Sequence, residues 1–180
     1  MKRSQSGPPR MRLHPCVAVL ATLIGFFAGP DLAAAAIPTP QSLEARLQRI
    51  DDRMAIEQLL MEYGRAVDNR DFAAFAALFA DDGEWQGAQG SYHGPKEIRE
   101  SMEKIFTAAA ADIPKGKNFH LLTNVIIDLH GDHATASSKF IFYKMNGAKP
   151  EAEVAGRYED RLVRSGGAWK FQQRLALPPG

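Results

Sequence analysis

The run "KNFHLLTNV", residues 117–125, places an imidazole, His120, inside a stretch that otherwise reads as a buried strand: Phe119, Leu121, Leu122, Val125, Ile126 and Ile127. Alternation from His120 puts Leu122, Asn124 and Ile126 on its face, so the ring is expected among apolar side chains. A histidine in such a place needs partners for its ring nitrogens. The partner that suits a base taking up a proton is a carboxylate, and the chemistry would then be general-base catalysis. The other reading is a core histidine satisfied by a backbone carbonyl.

A carboxylate of interest stands in "EYGRAVDNRD", where Asp68 follows the apolar Val67 near the end of a helical stretch. The negative end of the helix dipole disfavours an anion there, so Asp68 calls for a positive or proton-donating neighbour. Alternatively it faces solvent or bonds backbone groups in the 68–71 turn. Tyr63 lies five residues earlier, roughly 140° around the helix, so it and Asp68 could share a cavity only at its edges. Trp85 and Tyr143 sit in strand-like runs where aromatic residues commonly pack. The histidines at 93, 120, 130 and 133 lack an i, i+4 pair on a helix, and there is no H-E-x-x-H motif, so neither a metal nor a cofactor is expected.

The elements that must position these groups are readable from periodicity. Ser42 is a plausible helix cap after the extended "IPTPQS", and two apolar stripes follow. Leu43, Leu47, Ile50 and Met54 form one; Ile56, Leu59, Leu60, Tyr63 and Val67 form the other, on nearly the opposite side. Either the helix breaks near Asp51 and Asp52, or its first turns pack against something other than the main core. A leading arm followed by a core helix ending near Asn69 is expected. "RDFAAFAALFA" gives a second short helix capped by Asp71, "DDGEWQG" a turn and short strand, and Pro95 opens a third helix carrying Ile98, Met102, Ile105 and Phe106. Strands are expected at 118–129, 134–146, 152–164 and 168–176. The charges of "RYEDRLVR" suit a solvated outer face. Helices followed by an antiparallel meander make an α+β pattern.

Four segments, "AIEQLLMEYGRAVDNRDFAAFAALFADDGEW", "YHGPKEIRE", "FHLLTNVIIDLHGDHATA" and "GRYEDRLVRSGGAWKF", resemble in order the SnoaL-like branch of the nuclear transport factor 2-like superfamily, over about residues 52–174. In motif they are most similar to lyases of the scytalone dehydratase, bile acid 7α-dehydratase and hexachlorocyclohexane dehydrochlorinase types. The resemblance implies a cone-shaped curved antiparallel sheet wrapped around three N-terminal helices, a cystatin-like α+β barrel, with one deep apolar pocket. It pairs Asp68 with His120 as the base and puts Tyr63 at the position of a catalytic tyrosine. It implies Trp85, Leu122, Tyr143 and Phe75 as pocket wall for a small apolar molecule. Dehydratases of this kind add a further His or Asp from the next strand; here "SSKFIFYKM" offers Ser138 or Tyr143 instead. The expected function is a cofactor-independent lyase or isomerase; the alternative is a non-catalytic ligand-binding or assembly module of the same fold. A homo-oligomer, dimer or trimer, is the expected state.

The first 36 residues read differently. "MKRSQSGPPRMRLHP" is basic without acids, "CVAVLATLIGFFAG" is apolar, and "PDLAAAAIP" supplies small residues at the spacing of a signal-peptidase site. The apolar run falls short of the ~20 residues of a spanning helix, so no membrane anchor is expected after processing. Residues 1–36 are thus expected to be a signal peptide, 37–51 a linker and helical arm, 52–176 the domain and 177–180 a tail, with a periplasmic or extracellular product. Removing four basic residues and one acid takes the net charge from +1 to −2, which offers nothing to nucleic acid. The single cysteine, Cys16, leaves with this segment, and with it any disulfide or thiol chemistry. Edman sequencing of exported protein should begin near Ala36 or Ile37; an exported form starting at Met1 or Met11 would contradict the processing site.

Overall fold

The computed structural model describes residues 42–109 and 116–180; the expected signal peptide and most of the linker lie outside them. Ser42 caps the first helix, its Oγ accepting from the Ala45 N–H at 3.2 Å, and α1 then runs unbroken over Leu43–Asp68. The helix does not break at Asp51 and Asp52. Asp52 turns inward, where Gln48, Arg164 and the Trp169 indole all donate to its carboxylate. Burial pushes that carboxyl up, but these donors outweigh it and hold it below its ordinary value of 3.8. Ile56, Leu59, Leu60, Tyr63 and Val67 form the buried stripe.

Arg70 takes a left-handed backbone conformation, φ 55°, and lets the chain reverse into α2, Phe72–Ala76, whose cap Asp71 accepts from Ala74 N–H at 3.0 Å. Strand β1, Phe79–Gly87, and a short β2, Gly90–His93, form a hairpin, of which the sequence patterning revealed only the first arm. Helix α3, Gly94–Ala109, buries Ile98 and Met102. Strands β3, Asn118–His130, β4, His133–Asn146, β5, Lys149–Ser165, and β6, Ala168–Leu177, make the long meander.

The six strands form one curved sheet in the order β2-β1-β6-β5-β4-β3. Two features depart from expectation. The sheet is mixed, because β1 runs parallel to β6, setting Phe79 beside Phe171 in the core. It also stays open, with β2 and β3 as free edges, rather than closing into a barrel. Helix α1 lies against β3 and β6.

Strand β3 does not alternate uniformly. Asn124 adopts φ 53°, a conformation asparagine tolerates better than most residues, and a bulge interrupts pairing with β4 between Thr123 and Ile126. The inward set is therefore Asn118, His120 and Leu122 before the bulge, and Val125, Ile127 and Leu129 after it; Asn124 and Ile126 are exposed. Strand β5 also differs from its charge pattern. Arg157, Glu159 and Arg161 alternate with the buried Tyr158, Asp160 and Leu162.

Asp160 faces inward because its partner does. Arg174 on β6, directly across the ladder, has no solvent exposure, and its Nε and Nη2 each donate to the Asp160 carboxylate at 2.7 Å. The guanidinium lies 4.0 Å from the Tyr63 ring centre, 4.1 Å from Tyr158 and 4.2 Å from Phe171. Burial lowers the arginine pKa, but Asp160 more than compensates, and the cation persists. Breaking such a pair from one side typically costs about 3–5 kcal/mol, whereas an apolar pair of similar volume is often tolerated. Asp160→Asn is expected to lower urea stability by about that amount, and Asp160→Leu combined with Arg174→Met to recover most of it. Equal losses in single and double variants would show that the charges are not coupled.

Candidate active site

The last turn of α1 ends against the first residues of β3. Gly64 helps the approach: a Cβ built there would lie 3.6 Å from the His120 Cβ. Asp68 is thereby brought to the strand edge, where three donors converge on it. The His120 Nδ1 lies 2.6 Å from Oδ1, the Asn118 amide donates to Oδ1 at 3.1 Å, and the His120 backbone N–H donates to Oδ2 at 2.9 Å. These contacts supply the positive character that the C-terminal end of a helix dipole withholds. With the carboxylate on Nδ1, the neutral ring favours the tautomer protonated on that side, with the Nε2 lone pair free, the arrangement of a general base. The Phe142 ring, 4.9 Å from the imidazole centre, helps to hold it in place.

Asp68, Asn118 and His120 line a pocket of about 450 Å³. Leu60, Leu122 and Phe140 give it an apolar wall, Tyr63 and Tyr158 also line it, and Arg65 and Asn69 add polar groups. Tyr63 Oη accepts from Trp85 Nε1 at 2.9 Å, and the Tyr158 ring meets the Tyr63 ring edge-on at 5.4 Å. Burial pushes both phenols above their ordinary value of 10.0, Tyr158 the more strongly, so both stay protonated at neutral pH. Tyr63 Oη spends acceptor capacity on Trp85, which leaves its own O–H able to donate to a bound molecule.

The structure thus brings Asp68, His120, Tyr63 and Leu122 to one pocket. Trp85 and Phe75 stand behind Tyr63, the first through its N–H and the second through a ring contact of 4.8 Å; neither lines the pocket. Tyr143 pairs with Phe119 across the β3–β4 ladder and stacks on it at 4.9 Å, on the opposite face from His120 and Phe142. Ser138 points inward and is buried, and its hydroxyl has no hydrogen-bond partner among the described residues. Sequence reasoning missed Asn118 and Tyr158. Asn118 carried a usable signal, two residues before His120 and therefore on its face. Tyr158 needed the pairing of β5, since its side of the strand follows only from its neighbours. Among the described residues no group of acids, histidines or cysteines is arranged to hold a metal ion.

Residues 48–175 match the SnoaL-like domain family. The uncharacterized protein Rv2910c of Mycobacterium tuberculosis is 28% identical over 135 residues, covering 70% of this chain and 84% of that protein. Among solved structures, an NTF2-like protein with a cystatin-like fold from Novosphingobium aromaticivorans superposes with a TM-score of 0.66 at 24% identity, covering 74% of this chain and 86% of the other. LinA superposes at 0.60 with 24% identity, covering 73% and 88%. ActVI-ORFA from Streptomyces coelicolor superposes at 0.60 with 22% identity, covering 69% and 95%. At these identities the superpositions establish the fold.

The hydrogen-bond pattern fixes a tautomer that can be read without a substrate. Ring ¹⁵N shifts should show neutral His120 protonated at Nδ1, and Asp68→Asn should move it toward the Nε2-protonated form that free imidazole side chains prefer. Asn118→Leu should move it in the same direction by less. An unchanged tautomer in Asp68→Asn would mean that the carboxylate does not orient the ring.

Proposed function

The chain belongs to the SnoaL-like domain family, whose members include lyases and isomerases, and from that premise we propose that it is a cofactor-independent lyase or isomerase acting on a small, mainly apolar, cyclic substrate. The observation that carries this reading is the 2.6 Å contact between Asp68 and His120 inside a pocket with an apolar wall. A pocket of about 450 Å³ is in the range that encloses a drug-sized ligand.

In this reading His120 Nε2 takes a carbon-bound proton. The electron pair of the broken C–H bond enters a new C=C bond, and a hydroxyl or halide on the adjacent carbon leaves with its own bonding pair. An isomerase would instead return the proton to another carbon. Asp68 holds the ring and stabilises the imidazolium as it forms. The Tyr63 O–H donates to a carbonyl or to the departing oxygen. Tyr143, on the other face of the strands, takes no part. The order of basic, apolar and small residues over 1–36 supports a periplasmic or extracellular place for the reaction.

The test is a panel of cyclic β-hydroxyketones and halogenated cyclohexanes in D₂O, read for elimination and for deuterium entering at the carbon next to the carbonyl. His120→Ala and Asp68→Asn should each lose about 10²- to 10⁴-fold, and the double variant should lose little more, because residues acting as one unit do not add. Ligand binding with neither elimination nor exchange would identify a binding protein and overturn the catalytic reading.

A further inference from the structure

We infer that the N-terminal half of α1 is a self-association element that pairs in parallel with the same segment of another copy of this chain. The inference is independent of the proposed reaction. Residues 43–51 are exposed on every side, although they belong to a helix whose second half is core. The apolar side chains there lie on one line: Leu43 is 66% exposed, Leu47 51%, Ile50 54% and Met54 63%. Their spacings of four, three and four residues are those of a heptad seam, with Leu47 and Met54 at a and Leu43 and Ile50 at d. A helix needing only to dock on its own domain would have no reason to carry four large apolar residues on its far side.

The flanking charges identify the occupant and its direction. In this register Glu44 and Asp51 fall at e, Arg46 and Arg53 at g. A parallel pair sets each g residue beside the e′ residue five positions on, which places Arg46 against Asp51 of the other copy, twice by symmetry, and Arg53 against Gln58. An antiparallel pair would oppose arginine to arginine and acid to acid. The side chains of Arg46 and Asp51 have no ion-pair or hydrogen-bond partner among the described residues, whereas Arg53 already bonds Glu57 at 3.1 Å. The geometry also leaves room. Asp52, Leu59 and Ala66, which face the domain's own core, fall at f, so each domain would sit on the outside of the pair. Leucine at a with isoleucine at d tolerates more than two strands, so the number of copies is set by experiment. Because α1 is already folded on its domain, the pairing carries no helix-nucleation cost and can rest on two heptads.

Sedimentation equilibrium of the intact protein should give a multiple of the monomer mass, and Leu47→Glu with Ile50→Glu should return it to monomer with unchanged circular dichroism. Arg46→Glu alone should raise the dissociation constant roughly tenfold, and adding Asp51→Arg should restore it. Direction is read by oxidation in the full chain carrying Cys16→Ser. Leu47→Cys, at a, should form a disulfide dimer readily, and Arg49→Cys, on the outer side, should not. A monomeric wild-type protein, a mass unaffected by Leu47→Glu with Ile50→Glu, or equal cross-linking at 47 and 49 would each overturn the inference.

Discussion

Arg174 holds a full positive charge where no water reaches, and the chain surrounds it with contributions from three elements: Asp160 and Tyr158 from β5, Phe171 from β6 and Tyr63 from α1. A buried guanidinium is tolerated only if its charge is matched and its faces are covered. Asp160 supplies the match with two hydrogen bonds, and the aromatic rings supply the cover. Because one cover ring belongs to the helix and the others to the sheet, the cation ties α1 to the inner face of the sheet. The position of everything later in α1, Asp68 included, follows from that tie.

One turn beyond Tyr63, the helix presents a carboxylate at the end where its own dipole opposes a negative charge. The sheet answers with the Asn118 amide, the His120 backbone N–H and the His120 ring, all from two residues of β3. Two of these donors are an amide and a backbone N–H, and the third is a ring that the carboxylate orients. The arrangement therefore both satisfies the helix end and fixes the orientation of an imidazole in the pocket. Tyr63 connects the two ends of this path, lying over Arg174 on one side and lining the pocket on the other.

Helix α1 has a double character. Its second half is bound to the sheet by packing and by Tyr63, while its first nine residues meet none of their own domain's core. Asp52 marks the division, because its bonds to Arg164 and Trp169 secure the helix at the point where it leaves the domain.

The sequence by itself determined the element order, since caps at Ser42 and Asp71, helical stripes and the long strand alternations are local properties of the chain. It also determined which residue types could do chemistry, because a histidine among strand apolars and an acid at a helix end are each unusual wherever they occur. Only the tertiary structure decided that Asp68 meets His120 through direct hydrogen bonds, that Asn118 joins them, and that Tyr143 faces away. Strand pairing and the Asn124 bulge decide which face a side chain occupies, and the patterning that predicts a strand does not reveal a bulge within it. Asp160 shows the same limit most clearly: between Glu159 and Arg161 it reads as part of a charged surface. The register with β6 places Arg174 opposite it, and a long-range pairing, not any local pattern, makes both residues core.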